Sequence, residues 1–314
     1  RLGMEPLAVR LATYLYALPG SVVLARTLGP SGRGSYQVAV TASLIVLTVV
    51  LVGLPQSQFR AWGSRSASEL LAVSRLAGVV AGLVGLALCL LVALVGWEAF
   101  DSDATWALVL IGASMPLQVH SSCLVVLLQS AGRTRRVNVA MGVSGFAQTT
   151  GILLLWAAEL LTVRTTAGAY VMGLVIQWLL LRRDGRTLGR ATPRAPLHLA
   201  LVLARSGLVL QTFIIAQLLL LRIDVLFIAQ IADMGEVGIY AVGVMLAELV
   251  WLVTDSLAQA MVERAVRDDE GIVLAVFLRA ARMALALGLA AGVMAAVLAP
   301  VVVRLLFGRD FAPA

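Results

Sequence analysis

Charge disappears from the chain for more than twenty residues at a time. Gly34–Phe59, Leu76–Trp97, Ala104–Gly132, Val137–Ala158 and Met283–Val303 each run without a single Asp, Glu, Lys or Arg. Each run can cross a hydrocarbon layer of about 30 Å as a helix of roughly 20 residues. Inside lipid such a helix satisfies its own backbone groups. Four further segments carry the same signal with interruptions. Leu7–Ala25 contains Arg10 and a kink-forming Pro19-Gly20. Thr165–Leu181 is shorter, Ser206–Ile231 holds Arg222 and Asp224, and Gly238–Met261 holds Glu248 and Asp255. The pattern predicts nine spans, near 6–26, 35–58, 76–97, 105–130, 137–158, 163–182, 206–231, 237–262 and 280–304.

Composition excludes a soluble reading. The chain is 61% hydrophobic and 13% charged, with mean hydropathy +0.97, where a soluble domain carries about 25% charge. The longest polar stretch, Arg182–Arg205, contains Gly185, Gly189, Pro193 and Pro196 and reads as a linker. The expected fold is therefore all-α and polytopic, with two pseudo-symmetric helical bundles. Residues 1–184 form a six-helix bundle, 185–205 a cytoplasmic linker, and 206–314 three helices of an incomplete second bundle. The chain opens on Arg1, which suggests a trimmed N-terminus, and the three-helix remainder suggests missing C-terminal helices. Cys89 and Cys123 lie inside apolar runs without metal-type spacing and read as small membrane-buried side chains.

Loop charge orients the spans. All 24 basic residues are arginine. With the N-terminus inside, 17 arginines fall in inner segments and five (Arg26, Arg33, Arg164, Arg304, Arg309) in outer ones. The excess predicts a cytoplasmic N-terminus. Outer loops are instead acidic, with Glu98, Asp101 and Asp103 in one and Asp233 and Glu236 in another. The net charge of +7 is thus a topology signal, split among short loops, and gives no basic face for nucleic acid.

A shift of 204 residues lays the first span pair on the seventh and eighth. Ala25 meets Ala229, Gly34-x-Tyr36 meets Gly238-x-Tyr240, Val38 meets Val242, and Arg60-Ala61 meets Arg264-Ala265. Both copies begin outside and end inside, which is a parallel repeat about an axis along the membrane normal.

Charges within spans cost about 2.5–3.5 kcal/mol each at mid-bilayer on insertion scales, so lipid-facing placement is excluded. Two arrangements remain for Arg222, Asp224, Glu248 and Asp255. They line a polar cavity, where arginine attracts a phosphate-bearing substrate and a carboxylate a coupling cation, or they pair between helices. Glu248 and Asp255, seven apart, share a face, whereas Arg222 and Asp224 point different ways. Arg10 lies near the inner edge of its span and reads as snorkelling. Arg26 and Arg33 either guard the outer mouth or are ordinary loop charges. His120, beside Gln118 and Ser121, is a satisfied buried histidine or a proton relay. Gln148, Thr149, Thr150, Tyr14, Tyr16, Gln211 and Gln217 either line the same cavity or bond across helices.

Enzyme constellations are missing from the sequence. Leu28–Gly34 is glycine-rich without a Walker lysine, and neither H-E-x-x-H nor G-x-S-x-G occurs. The chain reads as no enzyme, with no metal and no cofactor. Coupling to a Na+ or H+ gradient stays open.

Three strings in order are familiar. Ala25-Arg26-Thr27-Leu28-Gly29-Pro30 with Gly34-Ser35-Tyr36 is one, and Arg222-Ile223-Asp224 with Gly235–Tyr240 is the second. Phe307–Ala314 is the third. Together they resemble the Wzx-like oligosaccharide flippases of the MOP superfamily. The resemblance implies two six-helix bundles and alternating access in the bacterial cytoplasmic membrane. It implies a substrate of undecaprenyl-diphosphate-linked oligosaccharide, moved to the outer leaflet for surface polysaccharide export, with polymerase machinery as a partner. Cavity arginines would then hold the diphosphate, with Arg222, Arg10 and Arg26 as candidates and Asp224, Glu248 and Asp255 beside them. A lipid II flippase and a MATE-type cation-coupled drug exporter are the alternatives. A membrane glycosyltransferase would need larger outer loops than these.

Overall fold

The computed structural model describes residues 5–96, 100–189, 197–248 and 270–313. Arg10 lies on the first helix with its side chain outside the description, and Asp255 lies outside the described residues altogether. Helices follow one another as α1 (Glu5–Leu51), α2 (Leu54–Ala61), α3 (Ala67–Val95), α4 (Ser102–Ala113), α5 (Met115–Ser130) and α6 (Thr134–Ala157). Then come α7 (Val163–Gly185), α8 (Leu197–Ile231), α9 (residues 234–248) and α10 (Glu270–Leu306). The described residues contain no strand beyond an isolated bridge between Trp62 and Arg65. The all-α expectation holds.

α1 is two spans joined at a single residue. Gly29 sits at φ 68° and ψ −176°, a region that favours glycine, and Pro30 restarts the helix. Tyr16 bonds Thr150, and Tyr36 accepts from Gln148 on the same helix α6. On a straight helix those tyrosines would stand about 30 Å apart, so the chain folds back at Gly29. The turn is tighter than the 27–34 connection that the charges Arg26 and Arg33 suggest, and both arginines are helical.

The second span ends at Leu51 rather than 58. Val52 and Gly53 both take positive φ, at 49° and 72°, and Pro55 opens a separate short helix, α2. Its Ser57 accepts from Ser206 at 3.2 Å, fastening it to α8. α3 begins at 67 instead of 76, because Ser66 and Glu69 form a capping box. The fourth span is bent by 52° between α4 and α5. Pro116 has no N–H to give the Gly112 carbonyl one turn back, and at the break the Ile111 carbonyl accepts from the Ser114 hydroxyl at 2.6 Å. α8 reaches back to Leu197, nine residues into the stretch read as linker.

Long apolar helices and their exposed faces agree with a bilayer. Five described helices are long and apolar enough to cross it, and up to seven when bent pairs count as one span. Large apolar side chains such as Val95, Leu220 and Ile231 stand outward on α3 and α8, where lipid replaces water.

Loops segregate to two ends. At one end Asp101 accepts from Ser35 at 2.5 Å and caps α4 through the Ala104 N–H, while Asp103 pairs with Arg164 at 3.0 Å. At the other end Arg136 pairs with Asp184 at 2.9 Å. Asp101 therefore serves two elements at once. Asp101→Ala is expected to cost about 1–2 kcal/mol, for one lost cap and one unpaired hydroxyl. A thermal melt of the detergent-solubilised protein measures it as a lowered Tm.

The 204-residue repeat is visible as a reciprocal contact. A Cβ on Gly34 would strike the Met234 carbonyl and lie 2.9 Å from the Gly238 N–H. A Cβ on Gly238 would strike the Pro30 carbonyl and lie 3.0 Å from the Gly34 N–H. Pro30 and Met234 are themselves repeat mates. The same exchange occurs one layer away, where Ala25 shares a buried cluster with Val242 and its mate Ala229 shares one with Val38. Residue i meeting j while j meets i is the signature of a two-fold axis. It passes between Gly34 and Gly238, close enough that only hydrogen fits on either backbone.

Candidate functional site

The charged residues of α8 find their partners on α9. Arg222 and Asp224 lie two apart and point in different directions, as their spacing requires. Arg222 Nη2 donates to Glu248 Oε1 at 2.5 Å. Asp224 Oδ2 accepts from the Tyr240 hydroxyl, and its Oδ1 accepts from the Val225 N–H at 2.8 Å. Tyr240 and Glu248 are eight residues apart, close to two turns, so one face of α9 meets both. Arg222 lies nine residues from the end of α8, about 14 Å along the axis and inside a helix apolar enough to span a bilayer. Interhelical pairing is therefore present, and it removes the cost of two isolated charges at that depth. The pair is still reachable, since the side chains of Arg222 and Glu248 keep 24% and 30% of their surface exposed.

The repeat shows how much of this is fold and how much is site. Leu18, Gly20, Tyr36 and Leu44 are the mates of Arg222, Asp224, Tyr240 and Glu248. The first half builds the same hairpin with two leucines and a glycine. Only the tyrosine is shared. Tyr240 was missed as a site residue on sequence, although its Gly-x-Tyr register was the signal.

Among the described residues, the span interiors of the first half carry neutral polar contacts, and its two ion pairs, Asp103–Arg164 and Arg136–Asp184, lie at the helix ends. Tyr16 meets Thr150 at 2.8 Å and stacks on Phe146 with ring centroids 4.5 Å apart. Gln148 donates to Tyr36 at 3.3 Å, and Ser144 donates to the Gly173 carbonyl at 2.8 Å. These residues bond across helices. Gln211 likewise donates to the Thr48 carbonyl, tying α8 to α1. Gln118 donates to Ser114 at 2.9 Å inside the bend of the fourth span. His120 accepts from the Trp178 indole N–H at 3.0 Å, which leaves that ring nitrogen unprotonated, and Arg182 stacks over Trp178 at 4.8 Å. This is the satisfied-histidine arrangement.

Arg26 is placed apart from Arg222. It donates to the Leu305 and Leu306 carbonyls at 2.5 and 2.7 Å, closing the C-terminus of α10. Arg33 is buried, and its Nε has no partner among the described residues. Its burial was not legible, because it follows from the single-residue turn at Gly29.

A groove of about 690 Å³ separates α3 from α8, lined by Leu91, Val92, Val95, Phe100, Leu226 and Gln230 among others. Leu226 and Gln230 lie one and two turns beyond Arg222 on the same stripe of α8. No cluster able to hold a metal occurs among the described residues, and both cysteines are free and buried.

A family model described as "Polysaccharide biosynthesis protein" matches residues 7–262. The chain belongs to this family. A solved structure entitled "Inward-facing conformation of a multidrug resistance MATE family transporter of the MOP superfamily" is similar over 98% of this chain and 78% of that one. The TM-score is 0.71 at 15% identity, which is a likeness of fold. No curated protein matches the sequence. This member of the polysaccharide biosynthesis family is a multi-pass membrane protein, and family and fold point to a transporter rather than a catalytic enzyme.

Proposed function

We propose that this protein moves an undecaprenyl-diphosphate-linked oligosaccharide from the inner to the outer leaflet of the bacterial cytoplasmic membrane by alternating access, for export of surface polysaccharide. The observation that carries the reading is the pairing of Arg222, within the apolar helix α8, with Glu248, in only one half of a two-fold repeat. A planar guanidinium with five donors fits phosphate oxygens, and at this depth a diphosphate is a ligand worth the desolvation of the charge. The N-terminus is cytoplasmic by the arginine excess. Polymerase machinery receives the product outside.

The likeness of fold to a MATE transporter supports a second reading, export of an amphipathic organic cation. Arg222 counts against it, since a cation gains nothing from a guanidinium. The test is transbilayer movement by the reconstituted full-length protein. Movement of a short prenyl-diphosphate disaccharide supports the first reading. Movement of a lipophilic cation alone supports the second.

A further inference from the structure

We propose that Glu248 is an internal counter-ion, an intramolecular competitor that occupies Arg222 whenever no anionic substrate does. The inference rests on the reading above and concerns how the same arginine lets its ligand go. An arginine that must capture a diphosphate and then release it cannot bind too tightly. Here its Nη2 is already held at 2.5 Å by a carboxylate on the next helix.

Three observations assign that role to Glu248. First, the fold does not require the pair. The repeat mates Leu18 and Leu44 occupy the same places in the first half, and that half forms its own helices. A structural ion pair would be expected in both copies. Second, Asp224 does not serve as the counter-ion. Its two oxygens are taken by Tyr240 and by the Val225 N–H, so the charged groups of this α8 turn divide cleanly between two partners on α9. Third, both members of the pair remain partly exposed, so an incoming anion can reach the guanidinium without unfolding either helix. A diphosphate offers more charge and more acceptor oxygens than one carboxylate, and it wins the fork of donors. When it leaves, Glu248 returns and Arg222 is never left bare at membrane depth. A neutral or singly charged headgroup gains too little to displace the carboxylate, which makes Glu248 a specificity-determining residue as well.

The experiment measures binding of a fluorescent short-chain prenyl diphosphate to full-length protein in detergent. Wild type, Glu248→Gln, Glu248→Asp and the double variant Arg222→Leu/Glu248→Leu are compared. Glu248→Gln binds about five- to tenfold tighter than wild type and releases the probe more slowly, since roughly 1 kcal/mol of competition is removed. Glu248→Asp, with its carboxylate drawn back by one methylene, falls between and stands in should the glutamine variant not fold. The leucine pair, which copies the first half, folds and binds no better than it binds a neutral prenol. Loss of a merely structural contact would weaken binding, so tightening is specific to competition. Unchanged or weaker binding in folded Glu248→Gln and Glu248→Asp overturns the inference while leaving the diphosphate reading intact. No binding of the diphosphate by any of the proteins sinks both.

Discussion

Arg222→Gln in the full-length protein stops delivery of lipid-linked saccharide to the outer leaflet, while the protein still inserts at its normal level. Glutamine keeps the length and polarity of the side chain but offers one amide in place of a charged fork. Losing a desolvated, charge-assisted contact to an anion costs about 2–5 kcal/mol, which is about 30- to 5,000-fold in rate. Insertion survives because the glutamine amide can still donate to Glu248, whose side chain is 30% exposed. Arg222→Lys retains part of the activity, as a point charge without the planar fork. Asp224→Asn gives a smaller loss, since an amide oxygen still accepts from Tyr240 or from the Val225 N–H. Surface polysaccharide, scored with immunoblotted membrane levels of the variants, reads out the series. Normal polysaccharide in Arg222→Gln would remove this residue from the site.

Gly34→Val is expected to prevent stable assembly. Gly34 and Gly238 meet across the two-fold axis with backbones close enough that an added Cβ strikes a carbonyl oxygen. The obstacle is main chain, which has no rotamer to change. The two halves must move apart there, opening the seam that also carries Val38, Val225 and Ala229. Overpacking a well-fitted interior costs about 1–3 kcal/mol, and a branched residue against backbone belongs at or beyond the upper end. Gly238→Val should match it, because the contact is reciprocal. Equal losses from both sites, read as a lowered Tm and a reduced monodisperse yield in detergent, are expected. A loss at one site alone would contradict the two-fold arrangement.

Apolar run length made the helices legible, since the bilayer sets a minimum that few other structures meet. The 204-residue repeat was legible from Gly-x-Tyr, which later proved to mark both the axis contact, through Gly34 and Gly238, and the Asp224 partner, through Tyr240. Boundaries were less so. Gly29 alone reverses the chain, where charge placement suggested a loop of several residues, because charge reports the surface and not φ. α3 starts nine residues before its apolar run, since a capping box can hold polar residues such as Glu69 and Arg75 in helix. The bend of the fourth span at Pro116 was not read from the sequence, because the charge-free run Ala104–Gly132 continues through it unbroken. Which charges would meet was open on sequence. Helix spacing separates Arg222 from Asp224 but cannot select Glu248 and Tyr240 as their respective partners, because that depends on how α9 is rotated against α8. The same limit hid Arg26, which reaches the end of α10 some 280 residues away.

The most direct test of the central claim, that the charges of one half of the repeat recognise an anionic lipid headgroup, is a flipping assay on the full-length protein in proteoliposomes. The account predicts that wild type moves a prenyl-diphosphate disaccharide across the bilayer and ignores the same saccharide on a neutral prenyl ether. It also predicts that Arg222→Leu/Glu248→Leu, folded like wild type, moves neither. Movement of the diphosphate lipid by the leucine pair at the wild-type rate would contradict it.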